Sequence, residues 1–141
     1  MMIQVELARV VICEFNSYQA VFLKEKNGKR VLTVAIAPYE AALLDRRVRA
    51  IPNTRPLTHD LLAQSIRLLG AEATQVRIVR EENGIYYAQI LLKRDGEETF
   101  LDSRPSDALI LAFTQDPPLP IFAAEELLGD ASAGRETETD Q

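Results

Sequence analysis

Three dipeptides, Asn27-Gly28, Asn83-Gly84 and Asp95-Gly96, each stand between two runs of predominantly strand-forming residues. Asn-Gly and Asp-Gly readily adopt the positive φ angles of tight hairpin turns, so each dipeptide predicts two neighbouring antiparallel strands. In the first half, Ile3 to Phe15, Ala20 to Lys24 and Arg30 to Ile36 read as three strands, the latter two joined at Asn27-Gly28. In the second half, Thr74 to Glu81, Ile85 to Arg94 and Glu97 to Leu101 read as a three-stranded meander.

Prolines divide the rest of the chain. Pro38 suits the first position of a helix in which Ala41, Leu44, Val48 and Ile51 recur at helical spacing, and Pro52 ends it. Thr58 is the expected N-cap of a helix running to about Leu69, with Leu57 and Leu62 as its hydrophobic staple and Gly70 at its C-terminal end. Ser106 is the expected N-cap of another helix, whose run Ala108 to Phe113 is apolar all round and therefore calls for burial on most sides. The expected fold is α+β: antiparallel strands in two three-stranded halves packed with three to four helices, in a single domain over residues 1–128. Residues 129–141 lose apolar side chains and gain acids, which predicts a disordered acidic tail.

At 141 residues a chain needs only one hydrophobic core. No apolar run approaches the roughly 20 residues a bilayer requires, and Gln4, Glu6 and Arg9 interrupt the apolar start, so the expected location is the cytoplasm, away from membranes. Cys13 is the only cysteine, which excludes an intramolecular disulfide and a cysteine-based zinc site; its apolar neighbours predict a buried, inert thiol. The net charge of −5 argues against a strongly basic nucleic-acid binder. The acids from Asp130 onward leave the remainder at −2 (15 Lys and Arg against 17 Asp and Glu), and Arg46, Arg47, Arg49 and Arg55 fall in an acid-free stretch that predicts a local basic face.

Two segments share one pattern. Arg55-Pro56-Leu57-Thr58-His59-Asp60 and Arg104-Pro105-Ser106-Asp107 each place an Arg-Pro pair just before a helix. The free N–H groups and positive dipole end of a first helical turn attract anions, and an arginine beside them makes a natural phosphate or carboxylate site. Arg55, Arg104, Thr58 and Ser106 are thus candidate phosphate ligands. An equally open reading pairs Arg55 and Arg104 with Asp60, Asp102 or Asp107 in an internal ion-pair network. His59, the only histidine, is a candidate proton carrier, and its plainer reading is a polar residue on an exposed first turn. Asp60, Asp102 and Asp107 lie near the two helix starts, where Mg²⁺ or Mn²⁺ needs only one or two carboxylates beside water and phosphate; dipole stabilisation alone accounts for Asp60 and Asp107. Glu40 is explained by its own helix dipole, and Tyr86 and Tyr87 read as core or sheet-face residues. The sequence has no Gly-rich phosphate loop, nucleophile elbow, metal-binding histidine pair or RNA-binding aromatic motif.

The segments Arg55-Pro-Leu-Thr-His-Asp-Leu61 and Asp102-Ser-Arg-Pro-Ser-Asp-Ala108 resemble the two signature segments of the bifunctional nuclease domain family, and the resemblance extends from the first strand to about Leu128. It implies an α+β fold, self-association into a homo-oligomer and, from plant members, nuclease activity on RNA and DNA. Carried over position by position, the signature falls on Arg55, Pro56, Thr58, His59, Asp60, Asp102, Arg104, Pro105, Ser106 and Asp107, without assigning their roles. The resulting expectation is a metal-assisted phosphodiesterase of low sequence specificity. In it Arg55 and Arg104, with Thr58 and Ser106, bind phosphate, Asp102 and Asp107 hold Mg or Mn, and His59, Asp60 and Asp107 are catalytic, with His59 as general acid or base. The alternative is a non-catalytic oligomeric binding or regulatory module that takes an anionic ligand or partner in the same pocket.

Overall fold

Strand β1 (Met2–Val11) lies inside one seven-stranded sheet, with β2 (Gln19–Glu25) antiparallel on one side and β7 (Ile121–Ala124), the middle strand, antiparallel on the other. The computed structural model describes residues 1–12 and 19–130. Beyond β2 the sheet ends at β3 (Val31–Ile36); beyond β7 it continues through β4 (Glu72–Glu82), β5 (Ile85–Arg94) and β6 (Glu97–Ser103). All pairings are antiparallel except β4 with β7. The expectation of two three-stranded halves gives way to a single sheet because the apolar piece after the proline-rich connection is itself a strand: Ile121 pairs with both Val5 and Val76.

The turns follow the backbone chemistry. Asn83-Gly84 and Asp95-Gly96 have positive φ at both residues and close two-residue hairpins between β4 and β5 and between β5 and β6. Asn27-Gly28 lacks positive φ and sits in a wider loop, closed by the Glu25 N–H on the Arg30 carbonyl and by the Arg30 guanidinium on the Glu25 carboxylate.

Three helices, α1 (Pro38–Val48), α2 (Thr58–Leu68) and α3 (Pro105–Thr114), pack against the sheet, with α3 touching both other helices as well as β4 and β5. That position explains its unbroken apolar run: Ala108 through Ala112 are all buried. The largest wholly buried side chains, Leu23, Leu44, Ile78, Ile90, Leu109, Ile110 and Leu111, come from both halves of the chain, so one core unites them.

α1 ends a turn earlier than its apolar spacing predicts. Ala50 takes a left-handed φ of 55°, its N–H bonds the Arg47 carbonyl and the Ile51 N–H bonds the Arg46 carbonyl. This Schellman closure leaves Val48 and Ile51 partly exposed, off the buried face of Ala41 and Leu44. α2 closes the same way around Gly70, as its sequence predicts. At the far end, Gly129 exchanges two backbone hydrogen bonds with Val31. The expected inert thiol of Cys13 and the expected disorder of residues 131–141 lie outside the described residues. Among the described residues no helix is long and apolar enough to cross a membrane.

Candidate functional site

The N-terminal turns of all three helices converge on one cleft of about 390 Å³. Tyr39 and Glu40 enter it from α1, Thr58 and His59 from α2, and Arg104 and Asp107 from the start of α3. The local sequences build this in a common way. Pro38 and Pro105 each occupy the first helical position, where the missing N–H costs nothing, and each helix carries a carboxylate at its third position: Glu40, Asp60 and Asp107. The caps therefore stand one or two residues earlier than expected. Arg104, not Ser106, is the cap residue of α3, because proline takes the first helical position, and Ser106 is buried inside the first turn. In α2 the cap residue is Leu57, whose N–H donates to the Asp60 carboxylate at 2.8 Å, and Thr58 is already helical and exposed.

A chain of contacts crosses the cleft. His59 Nε2 lies 2.9 Å from Asp107 Oδ1, Arg104 Nε donates to Asp107 Oδ2 at 3.0 Å, and Arg104 Nη2 donates to Glu40 Oε1 at 3.3 Å. Burial pushes the Asp107 carboxyl upward, but hydrogen bonds and charge from Arg104 and His59 outweigh it and hold the group below its usual range. An ionised Asp107 can only accept, which places a proton on His59 Nε2 and leaves Nδ1 of the neutral ring as the acceptor. Among the described residues Nδ1 has no hydrogen-bond partner and no fully buried side-chain nitrogen or oxygen lacks one, so Nδ1 is accessible, on a residue that lines the cleft. The residue itself is 6% exposed, so the expected exposed first-turn histidine is in fact packed, because α2 turns its second residue inward against α3.

Arg104 differs from His59 in exposure: its side chain is 64% open to solvent despite two ion pairs. With Glu40 and Asp107 charged and His59 neutral, the cleft side chains sum to one negative charge. Three helix N-termini, each equivalent to roughly +0.5 of a charge, more than offset it at close range.

The remaining candidates are divided. Asp60 faces away from the cleft chemistry: it accepts from Arg47 at 2.6 Å and from the Leu57 N–H, and the Arg47 hydrogen bond, outweighing burial, holds it below its usual range. Arg55 is exposed beside Pro56 and has no ion pair among the described residues. The local basic face is mostly consumed: Arg47 pairs with Asp60, Arg49 with Asp45, and Arg46 bonds Asn53. Asp102 is exposed on β6 opposite Gln89 and does not line the cleft. Ser106 lines a neighbouring groove on the other side of Arg104. Sequence reasoning missed Tyr39, set Glu40 aside as a helix-dipole residue and placed Arg47 only in a basic face. The signal was there in Pro38: a third proline-led helix start with an acid at the third position, matching the other two.

Comparison with known proteins places the chain among relatives of one family. The family model of the bifunctional nuclease domain matches residues 21–136. An uncharacterized protein of Mycobacterium tuberculosis is 30% identical over 138 residues, covering 98% of this chain and 81% of that protein. Bifunctional nuclease 1 of Arabidopsis thaliana is 24% identical over 112 residues, 77% of this chain and 34% of that protein. Bifunctional nuclease 1 of Oryza sativa subsp. japonica is 28% identical over 108 residues, 74% of this chain and 33% of that protein. The chain thus spans about a third of the length of these plant relatives.

Proposed function

The chain belongs to the bifunctional nuclease domain family, and from that membership and the three-helix cleft we propose that it hydrolyses phosphodiester bonds of RNA or DNA with low sequence specificity. The observation that carries this reading is the convergence of three helix N-termini on a histidine whose ring is fixed by an ionised aspartate. Helix starts bind the phosphate, and the histidine supplies the proton acceptor.

In this reading a water molecule attacks phosphorus as His59 Nδ1 takes its proton. A P–O bond forms to the water oxygen, the P–O bond to the leaving sugar oxygen breaks, and that oxygen takes a proton from solvent. Asp107 keeps the ring oriented and stabilises the imidazolium, in the manner of a carboxylate behind a catalytic histidine. Arg104 keeps N–H groups free beyond those given to Asp107 and Glu40, and these face the negative charge that grows on the phosphoryl oxygens. Thr58 and Arg55, exposed at the rim, suit the phosphate of the same or an adjacent nucleotide. Asp60 holds α2 in place through Arg47. A water nucleophile makes no use of a ribose 2′-hydroxyl, so both RNA and DNA qualify.

The side chains do not form a ready cage for a resident metal. Among the described residues no group of three or more His, Cys, Asp or Glu side chains is arranged to hold one; Asp107 is committed to His59 and Arg104, and Asp102 stands apart on β6. No step is therefore routed through Mg or Mn, and their effect is read in the assay. Wild type, His59→Gln and Arg104→Gln, purified identically, are compared on single-stranded RNA and DNA with Mg²⁺, Mn²⁺ or chelator. The expected result is cleavage by wild type and a drop of roughly 10²–10⁴-fold for His59→Gln. Equal cleavage by all three, or none by any folded preparation, contradicts hydrolysis here and leaves the non-catalytic anion-binding module as the better account.

A further inference from the structure

Behind Arg104, on the side away from His59, lies a second opening of about 240 Å³. Its walls include Ile36 and Ala37 at the end of β3, Ile85 and Tyr86 at the start of β5, and Arg104 and Ser106 at the start of α3. Arg104 is the common wall of this groove and the cleft. Three features mark it as a site. Ile85 is 59% exposed and Tyr86 is half-buried, so an apolar side chain and an aromatic ring line an opening that none of the described side chains fills. Gly84 adds no bulk at the hairpin tip, where a Cβ would meet nothing within 4 Å. Ser106 is 6% exposed and lies on the groove wall; its hydroxyl has no protein hydrogen-bond partner among the described residues, and since no fully buried side-chain oxygen there lacks one, that hydroxyl is the part of the residue that stays accessible. An accessible hydroxyl on an otherwise packed residue is held in place and keeps its donor and acceptor positions open to a ligand or water.

We infer that this groove receives the nucleobase of the nucleotide whose phosphate sits at Arg104. This inference rests on the nuclease reading and deepens it by naming the part of the substrate on the far side of the arginine. The volume is below that of a pocket for a drug-sized ligand, which suits one planar base. Tyr86 offers an aromatic ring for stacking, and Ser106 offers a hydroxyl that both donates and accepts, so it meets any base edge without choosing one. Arg104 presents a flat guanidinium between base and phosphate and serves both. Stacking without a fixed set of donors and acceptors also matches low sequence specificity.

The test compares binding of adenosine monophosphate with that of ribose 5-phosphate, which carries the same phosphate without a base, by amide chemical shifts on the wild-type chain, Tyr86→Leu and Ser106→Ala. The wild type should bind the nucleotide about tenfold tighter, with shifts at Ile85, Tyr86 and Ser106 that ribose 5-phosphate does not produce. Tyr86→Leu should bring the two affinities to within about twofold while leaving that for ribose 5-phosphate unchanged. Ser106→Ala, which removes only the hydroxyl, should reduce the preference partially. Equal affinities in the wild type, or an undiminished preference in Tyr86→Leu, overturns the base site. Absence of binding by both ligands overturns it too, and cleavage of single-stranded RNA by the same wild-type preparation then tells whether the nuclease reading survives without it.

Discussion

His59 is a buried residue asked to do surface chemistry. Its packing against the start of α3 fixes the ring, and the carboxylate of Asp107 fixes the tautomer. Replacing it therefore has two effects that must be measured separately. His59→Gln should lower stability by about 1–3 kcal/mol in urea, because Asp107 loses a partner in a partly buried setting, and should lower cleavage far more than the unfolded fraction explains. Arg104 presents the opposite case. Its side chain is largely exposed, so Arg104→Gln should change stability by less than about 1 kcal/mol while reducing kcat/KM by roughly 10²–10³-fold. A large stability loss with kcat/KM intact would make Arg104 a structural ion-pair partner and remove it from the phosphate site. The sequence marked His59, Arg104 and Asp107 as candidates through the Arg-Pro segments. It did not reveal that His59 is packed, because inward orientation depends on where α3 lies, and that is set by the core of both halves.

At the level of elements, the helix ends carry the predictions. α1 and α2 close with the same backbone hydrogen bonds, but α2 places Gly70 at the left-handed position and α1 places Ala50 there. An alanine in that conformation costs roughly 1–2 kcal/mol, partly recovered from the restricted unfolded chain, so Ala50→Gly should stabilise the protein by about 0.5–1 kcal/mol. Gly70→Ala should destabilise by a similar amount, and equal midpoints for both variants and wild type in a urea melt would contradict the cap assignment. The Gly70 stop was visible in the sequence, while the Ala50 stop was not, since an alanine gives no signal of a left-handed residue. Asp60 ties α2 to the last turn of α1 through Arg47. Its carboxyl is held below the usual range in the folded state, so its contribution is complete above the unfolded value, about 3.9, and is lost as pH falls from there through the lowered folded value. Asp60→Asn should cost about 1.5 kcal/mol at pH 7 and progressively less below pH 4. A difference that stays constant from pH 7 to pH 3 would rule out the ion pair as its source.

For the whole molecule, charge and topology set the scale of any interaction with nucleic acid. The chain carries a net −5, and of the arginines expected to form a basic face only Arg55 has no polar side-chain partner among the described residues. A protein of this kind holds one or two phosphates at a time. The logarithm of affinity for a single-stranded oligonucleotide should fall with the logarithm of salt with a slope of about −1, following roughly −0.7 per phosphate neutralised. A slope near −5 would demand an extended basic track that the described surface does not provide. The hairpins, the buried central helix and the α+β class were legible because turn dipeptides and apolar periodicity act locally. The single sheet was not, because β7 is a short apolar piece whose strand character comes only from pairing with β1 and β4, distant in sequence. Convergence of three helix starts is likewise a product of the sheet that carries them. The central claim is that His59 and Asp107 act as one unit at that convergence, and a double-mutant cycle on single-turnover cleavage tests it most directly. His59→Gln and Asp107→Asn should each slow cleavage strongly, and the double variant should be about as slow as the slower single one, as residues acting together are non-additive. Independent effects that multiply in the double variant, or single variants that cleave at the wild-type rate, would contradict it.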